Sequence, residues 1–264
     1  MKKYLLFWIL LCASWTTQAQ KLHAVYEYIP SGVATFREHV YFEKGVKTAI
    51  RDSVPVTATT GGNEDIEGEM SSSYSFVLNT GINYRNIVIQ EGNDNKLLET
   101  RSIQGANYLV TDKFPTLQWN TDYTDTDTLG NYICHKATAS YRGTTLVAYY
   151  TDDIPVSAGP YKFGGLPGLI VMLYNESANP NYWMLKEVSY PYTGDIPVDA
   201  GYIHSLPKLS LQEYIVKDDA LVSEQMRILQ SKIPAMEGVT IERKRTRGTV
   251  EQVYEWEQKV VNEE

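Results

Sequence analysis

The chain has 264 residues, with 24 Lys and Arg against 32 Asp and Glu and a formal charge of −8. Such an acidic balance disfavours nucleic acid and anionic membrane surfaces as partners, and no apolar run of about 20 residues is available to span a bilayer. Of the two cysteines, Cys12 falls in the leader described next, which leaves Cys134 alone and no internal disulfide.

Residues 1–19 read as an export signal. Lys2 and Lys3 supply the positive start, Tyr4 to Trp15 the apolar core, and Thr17 and Ala19 the small residues a signal peptidase reads, so cleavage is expected before Gln20. Leu11 before Cys12 argues against a lipid anchor. The remaining 20–264 is expected to form a single β-rich domain in the periplasm, on the cell envelope or outside the cell.

Strands follow with turn punctuation. Residues 22–29 alternate moderately; 35–54 predict a hairpin bending at Glu43-Lys44-Gly45; 52–72, rich in Ser, Thr, Gly and Glu, predict a loop. Strands are expected at 73–79, 84–90, 96–103 and 107–112, with a turn at 91–95 and Gly105 between the last two. A short strand is expected at 117–120, and 131–151 predict a hairpin turning at Arg142-Gly143. The continuous apolar run 169–175 predicts a central strand, paired back by 182–190. One helix is expected over 210–232. Ser210 and Glu213 form a capping box, and Leu211, Ile215, Val222, Met226 and Leu229 an apolar stripe. The basic run 243–247 reads as a charged strand or sheet edge, and the last 25 residues are ambiguous. The fold class is mainly β (α+β): a single antiparallel curved sheet or half-barrel with one helix from the C-terminal half packed on it.

The stretch "GPYKFGGLPGLIVML" (159–173) is read as a turn feeding that central strand. Pro167-Gly168 suits the middle of a type II turn, with Gly168 at positive φ. A phosphate loop fails, because Gly165 and Leu166 stand where Lys and Ser/Thr would be needed. "GPYKFGGLPGLI" resembles the signature of the GLPGLI family of exported bacterial proteins. "YLVTDKFPTLQWN" (108–120), "GNYICHKATASYRG" (130–143) and "VAYYTDDIPVSAGP" (147–160) resemble its preceding blocks. The resemblance implies a signal peptide, a β-rich fold and an envelope setting, and hands over no catalytic residue.

Three functions are carried forward. The first is a non-enzymatic binding protein with a Tyr-lined concavity, taking an apolar ligand or an outer-membrane uptake component; Tyr149, Tyr161, Gly164 and Gly165 are its candidate ligand residues. The second is a copper- or zinc-handling protein using Cys134 and His135, although strand neighbours point to opposite faces. The third is a hydrolase with two facing carboxylates. Asp122, Asp125 and Asp127 read as an acidic hairpin loop rather than a calcium loop, and His23, His39, His135 and His204 show no metal spacing. No cofactor is implied. Ser53 and Thr128 sit in short patterns resembling bacterial O-glycosylation acceptors.

Overall fold

The structure is a computed structural model and describes residues 21–30, 32, 34–53, 57–58, 85–92, 95–231, 247 and 249–257. The export signal, the strand expected at 73–79, most of the 52–72 loop and residues 243–246 lie outside the described residues.

The first strands are β1 (Leu22–Pro30), β2 (Ala34–Glu43), β3 (Val46–Arg51), β4 (Thr57–Ala58), β5 (Asn86–Glu91), β6 (Lys96–Ile103) and β7 (Ala106–Lys113). Then come β8 (Thr126–Leu129), β9 (Tyr132–Tyr141), β10 (Thr144–Thr151), β11 (Leu169–Asn175) and β12 (Asn181–Ser189). Helix α1 (Ala200–Ser205), β13 (Lys208–Ser210) and helix α2 (Leu211–Ser231) follow. The order across the sheet is β13-β7-β6-β5-β3-β2-β1-β12-β11-β10-β9-β8, with β4 paired to β2. All neighbours are antiparallel except β13, which runs parallel to β7 and makes the sheet mixed rather than purely antiparallel.

The tight hairpins follow from local chemistry. Lys44-Gly45, Gln104-Gly105 and Arg142-Gly143 each place two successive residues at positive φ. That is the requirement of a type I′ turn, whose twist matches the strands it joins. Residues 117–120 form no strand; Asn120 makes a single bridge to Thr138. The acidic loop expected after them is partly an edge strand, β8, on which Asp127 and Thr128 are exposed.

The capping box is present: Ser210 N–H donates to Glu213 Oε2 at 2.8 Å, and Glu213 N–H to Ser210 Oγ at 3.2 Å. Of the apolar stripe, Leu211 and Ile215 are buried, Val222 is half-buried and Met226 is exposed. Leu211, Tyr214 and Ile215 bury against Ile103, Val110 and Tyr254, whereas Val216, Met226 and Ile228 are exposed. A second helix, α1, is capped by Asp199, which accepts from Tyr202 N–H at 3.0 Å. Six residues are too few for the apolar period that betrays a helix in a sequence.

β11 lies between β10 and β12, with Leu169, Ile170, Val171 and Leu173 buried, as the run of apolar residues predicts. The bend before it differs from expectation. Gly165, not Gly168, holds the positive φ, at 89°. Gly168 is required for space, since a Cβ there would lie 1.9 Å from the Thr151 carbonyl oxygen. Chain 151–168 leaves β10, bulges inward and returns so closely that Leu169 N–H donates to Ile154 O at 3.1 Å.

The sheet curls without closing into a barrel. β7 and β10 are far apart in strand order, yet Asp112 of β7 sits 2.8 Å from Arg142 at the head of β10. Across the same gap the rings of Phe114 and Tyr141 lie 5.5 Å apart. Side chains, not a backbone ladder, span the seam.

Gly168→Ala is expected to destabilise the protein by about 1–3 kcal/mol, the range for overpacking a core, because backbone rather than a movable side chain blocks the methyl group. Chemical denaturation checks this; an unchanged midpoint would contradict the close approach.

Candidate functional site

The inward bulge fills the hollow of the sheet. Ile154, Val156, Tyr161, Phe163 and Leu166 share one buried cluster with Tyr26 and Val40 of the first hairpin, Leu97 of β6, Leu146 of β10 and Trp183 of β12. The Tyr161 ring stacks on Trp183 at 6.2 Å, and Phe163 meets Tyr141 edge-on at 5.3 Å. The concavity expected to hold an apolar ligand is therefore occupied by the chain's own segment.

Charge is buried with it. Lys162, wholly inaccessible, donates to Glu251 Oε1 at 2.8 Å and pairs with Glu99 Oε2 at 3.1 Å. Arg101 bridges the same two carboxylates at 2.9 and 3.1 Å. Arg142 joins Glu251 at 2.8 Å to Asp112 on the other side. Tyr161 donates its hydroxyl to Glu99 at 2.9 Å and its backbone N–H to Glu38 at 2.6 Å, and Glu38 is also held by Arg51 at 2.6 Å. Burial alone would raise the Glu99 carboxyl, but Arg101 and then Lys162 outweigh it and bring it down to about 2. Burial also works against the charge on Glu251, yet Lys162, Arg101 and Arg142 together hold it well below the carboxylate range.

This pair does not suit the carboxylate hydrolase. A glycosidase needs one carboxyl that keeps a proton near neutrality beside one that does not. Here both are ionised, tied to the same cations and buried at 3% and 0% exposure.

An opening lies where the bulge meets the β2–β3 turn. A cleft of about 260 Å³ is lined by Phe42, Lys47, Gln90, Phe114, Gly164 and Gly165, with further polar groups at its rim. Its glycine wall is fixed from two sides. Trp119 Nε1–H donates to Gly164 O at 2.9 Å, and Gly165 N–H donates to Ser157 Oγ at 3.1 Å. Lys47 is buried and donates from Nζ to the Phe163 carbonyl. Burial pushes its amine down to about 7, with the Glu38 carboxylate pulling the other way.

Of the candidate ligand residues, Gly164 and Gly165 line the cleft, and Tyr161 sits deeper, in the charge network. Tyr149 does not join them: its register pairs it with Lys136 on β9 and Met172 on β11, one residue out of phase with Leu146 and Ala148 of the inner cluster. Cys134 and His135 are not brought together. Cys134 faces the Tyr132 carbonyl at 3.7 Å, and burial raises its thiol to about 11, the opposite of what a reactive thiolate or soft metal ligand needs. His135 lies 3.7 Å from Asp152 and packs near Tyr150 at 5.6 Å. Among the described residues no group of three His, Cys, Asp or Glu side chains is arranged to hold a metal ion.

The residues that organise the site were not singled out in the sequence. Lys162 left one trace there: a lone charge inside a Gly, Pro and aromatic stretch leading to a buried strand. Lys47 and Glu251 left none.

A family model described as a protein of unknown function (Porph_ging) matches residues 140–172, from the end of β9 through the bulge into β11. No curated protein matches the chain. Two crystal forms of PNGF-II are similar in structure. One shows 12% identity and a TM-score of 0.47 over 74% of this chain, the other 15% and 0.46 over 84%. The chain spans only about a third of their length, 32% and 36%. An uncharacterized conserved protein from Thermus thermophilus is similar at 6% identity and a TM-score of 0.38, over 77% of this chain and 98% of that one. Likenesses this distant give no clear activity.

Two outcomes are expected. Glu251→Gln keeps the shape and removes the charge shared by Lys162, Arg101 and Arg142, so it should cost about 3–5 kcal/mol in urea denaturation, as breaking a buried ion pair does. The second concerns pH. Lys47 titrates near 7 in the folded chain and near ~10.4 when unfolded, so between these values the unfolded chain holds the extra proton and stability rises with pH. The stability of wild type minus that of Lys47→Met should therefore climb above about pH 7 and level off near ~10.4. A flat difference would show the amine to be unperturbed.

Proposed function

We propose that the chain is an exported protein of the cell envelope that binds a small ligand without transforming it, and that the ligand enters the cleft beside Gly164 and Gly165. The leader-like residues 1–19 and the GLPGLI-like stretch support the export reading. The observation that carries the binding reading is the union, at one opening, of Lys47 with a glycine wall held by Trp119 and Ser157. Preformed concave sites of a few hundred Å³ with a few convergent polar groups are the usual form of small-molecule sites. Phe42 and Phe114 offer apolar surface and Lys47, Gln90 and Asn95 offer polar contacts, so the ligand is read as a small molecule with one apolar and one polar end. This narrows the wholly apolar ligand expected from the sequence, because the apolar hollow is already filled.

The test uses the chain secreted with residues 1–19 in place. Amino-terminal sequencing should begin at Gln20. Thermal-shift screening against small amphiphilic acids and peptides should then find compounds that stabilise the wild type and lose most of that effect in Gln90→Trp, which fills the cleft. A retained Met1 would overturn the export reading. Stabilisation equal in both proteins, or in neither, would overturn the cleft.

A further inference from the structure

We propose that His23 and His39 form the core of a site for a borderline transition-metal ion, zinc or copper(II), on the outer surface of the sheet. The site is separate from the cleft and does not depend on the binding reading above.

The two histidines are 16 residues apart in sequence and are brought together only by strand pairing. In the β1–β2 ladder His23 faces Tyr41 and His39 faces Val25. His23 and Val25 are two residues apart on β1, so both histidines project from the same face, as diagonal neighbours. His23 Nε2 and His39 Nδ1 stand 3.1 Å apart, with their ring planes 7° from parallel. Two imidazoles on one tetrahedral ion, each about 2.0–2.1 Å from it, have their nitrogens about 3.3 Å apart. Chelation requires a shift of a few tenths of an ångström and a turn of the rings that aims both lone pairs at one point beside the present hydrogen bond.

The His23 ring is held in place by its neighbours. Tyr41 stacks on His23 at 4.5 Å with planes 7° apart, and Tyr192 leans against both, 4.9 Å from His23 and 5.8 Å from Tyr41. Such packing limits ring rotation, as partners around a metal ligand commonly do. The proton in the present hydrogen bond has a place to go: the donor ring passes it to its other nitrogen, and no charge need leave as the cation enters.

Glu187 is the carboxylate on this face that could add a third donor. It pairs with Val25 on β12, which puts it in one row with Val25 and His39. Its side chain is exposed, and its charge is felt by both rings. It does not already converge on the pair, so it would swing in, with water completing the shell. Asp52 adds negative charge near His39, while Arg37 and Arg85 oppose it, which points to modest affinity. Imidazole with carboxylate and water suits zinc and copper(II), with copper the tighter of the two.

The experiment is titration calorimetry of zinc and of copper(II) into the tag-free, chelator-stripped chain. One ion per chain is expected at a dissociation constant in the micromolar range. His23→Gln and His39→Gln should each weaken binding at least tenfold with circular dichroism unchanged, and Glu187→Gln by several-fold. Cys134→Ser, on the metal site first read from the sequence, should leave it unaltered. Copper(II) paramagnetic resonance of the wild type should show coupling to two imidazole nitrogens, a readout that holds even if a variant fails to fold. No stoichiometric binding, or binding indifferent to both histidine changes, or a spectrum without imidazole coupling would reduce His23 and His39 to a hydrogen-bonded packing pair and overturn the proposal.

Discussion

The structure depends on the ion cluster around Glu251. Three carboxylates (Glu99, Glu251 and Asp112) meet three cations (Arg101, Arg142 and Lys162) in the interior of the curled sheet. Taking these groups out of water costs several kcal/mol per ion, and mutual attraction offsets that only when geometry and charge balance are both good. The balance holds only if the β6–β7 hairpin, the β9–β10 turn, the inward bulge and the C-terminal segment all arrive at once. Apolar surfaces alone would bring the same parts together in several registers. The charges favour the arrangement in which all four segments meet.

The cluster also explains the cleft. Lys162 is drawn inward to Glu99 and Glu251, and Tyr161 beside it is anchored to Glu38 through its N–H. Phe163 follows them into the core, and the chain then turns outward. Gly164 and Gly165 surface beside Lys47 and make a wall that is backbone rather than side chain. The bulge fills the hollow, and the opening is what remains where it turns back towards β11.

Local features of this fold were legible in the sequence and long-range ones were not. The hairpins at Lys44-Gly45 and Arg142-Gly143, the Ser210–Glu213 cap and the apolar strand 169–175 each rest on residues a few positions apart, and all appear as read. Gly168 shows the limit. The sequence says that only glycine fits, yet the reason is the Thr151 carbonyl, supplied by a chain segment that returns from elsewhere. β13 and the burial of Val250, Glu251 and Tyr254 carry no local periodicity, so nothing short of the three-dimensional pairing reveals them. The candidate site divides the same way: Gly164 and Gly165 were marked by their own composition, whereas Lys47 becomes notable only once Phe163 and Glu38 surround it. Tyr149 misled because tyrosine looks alike on either side of a sheet, and only the register assigns the side.

The position of Glu251 along the chain has a bearing on how the molecule is made. Synthesis runs from the amino end, and Lys162 is finished 89 residues before its partner. Until that late acid emerges, the nascent chain carries interior cations short of an anion and has every reason to leave the seam ajar. Closure of the seam thus comes after synthesis has passed Glu251, later than the hairpins that flank it.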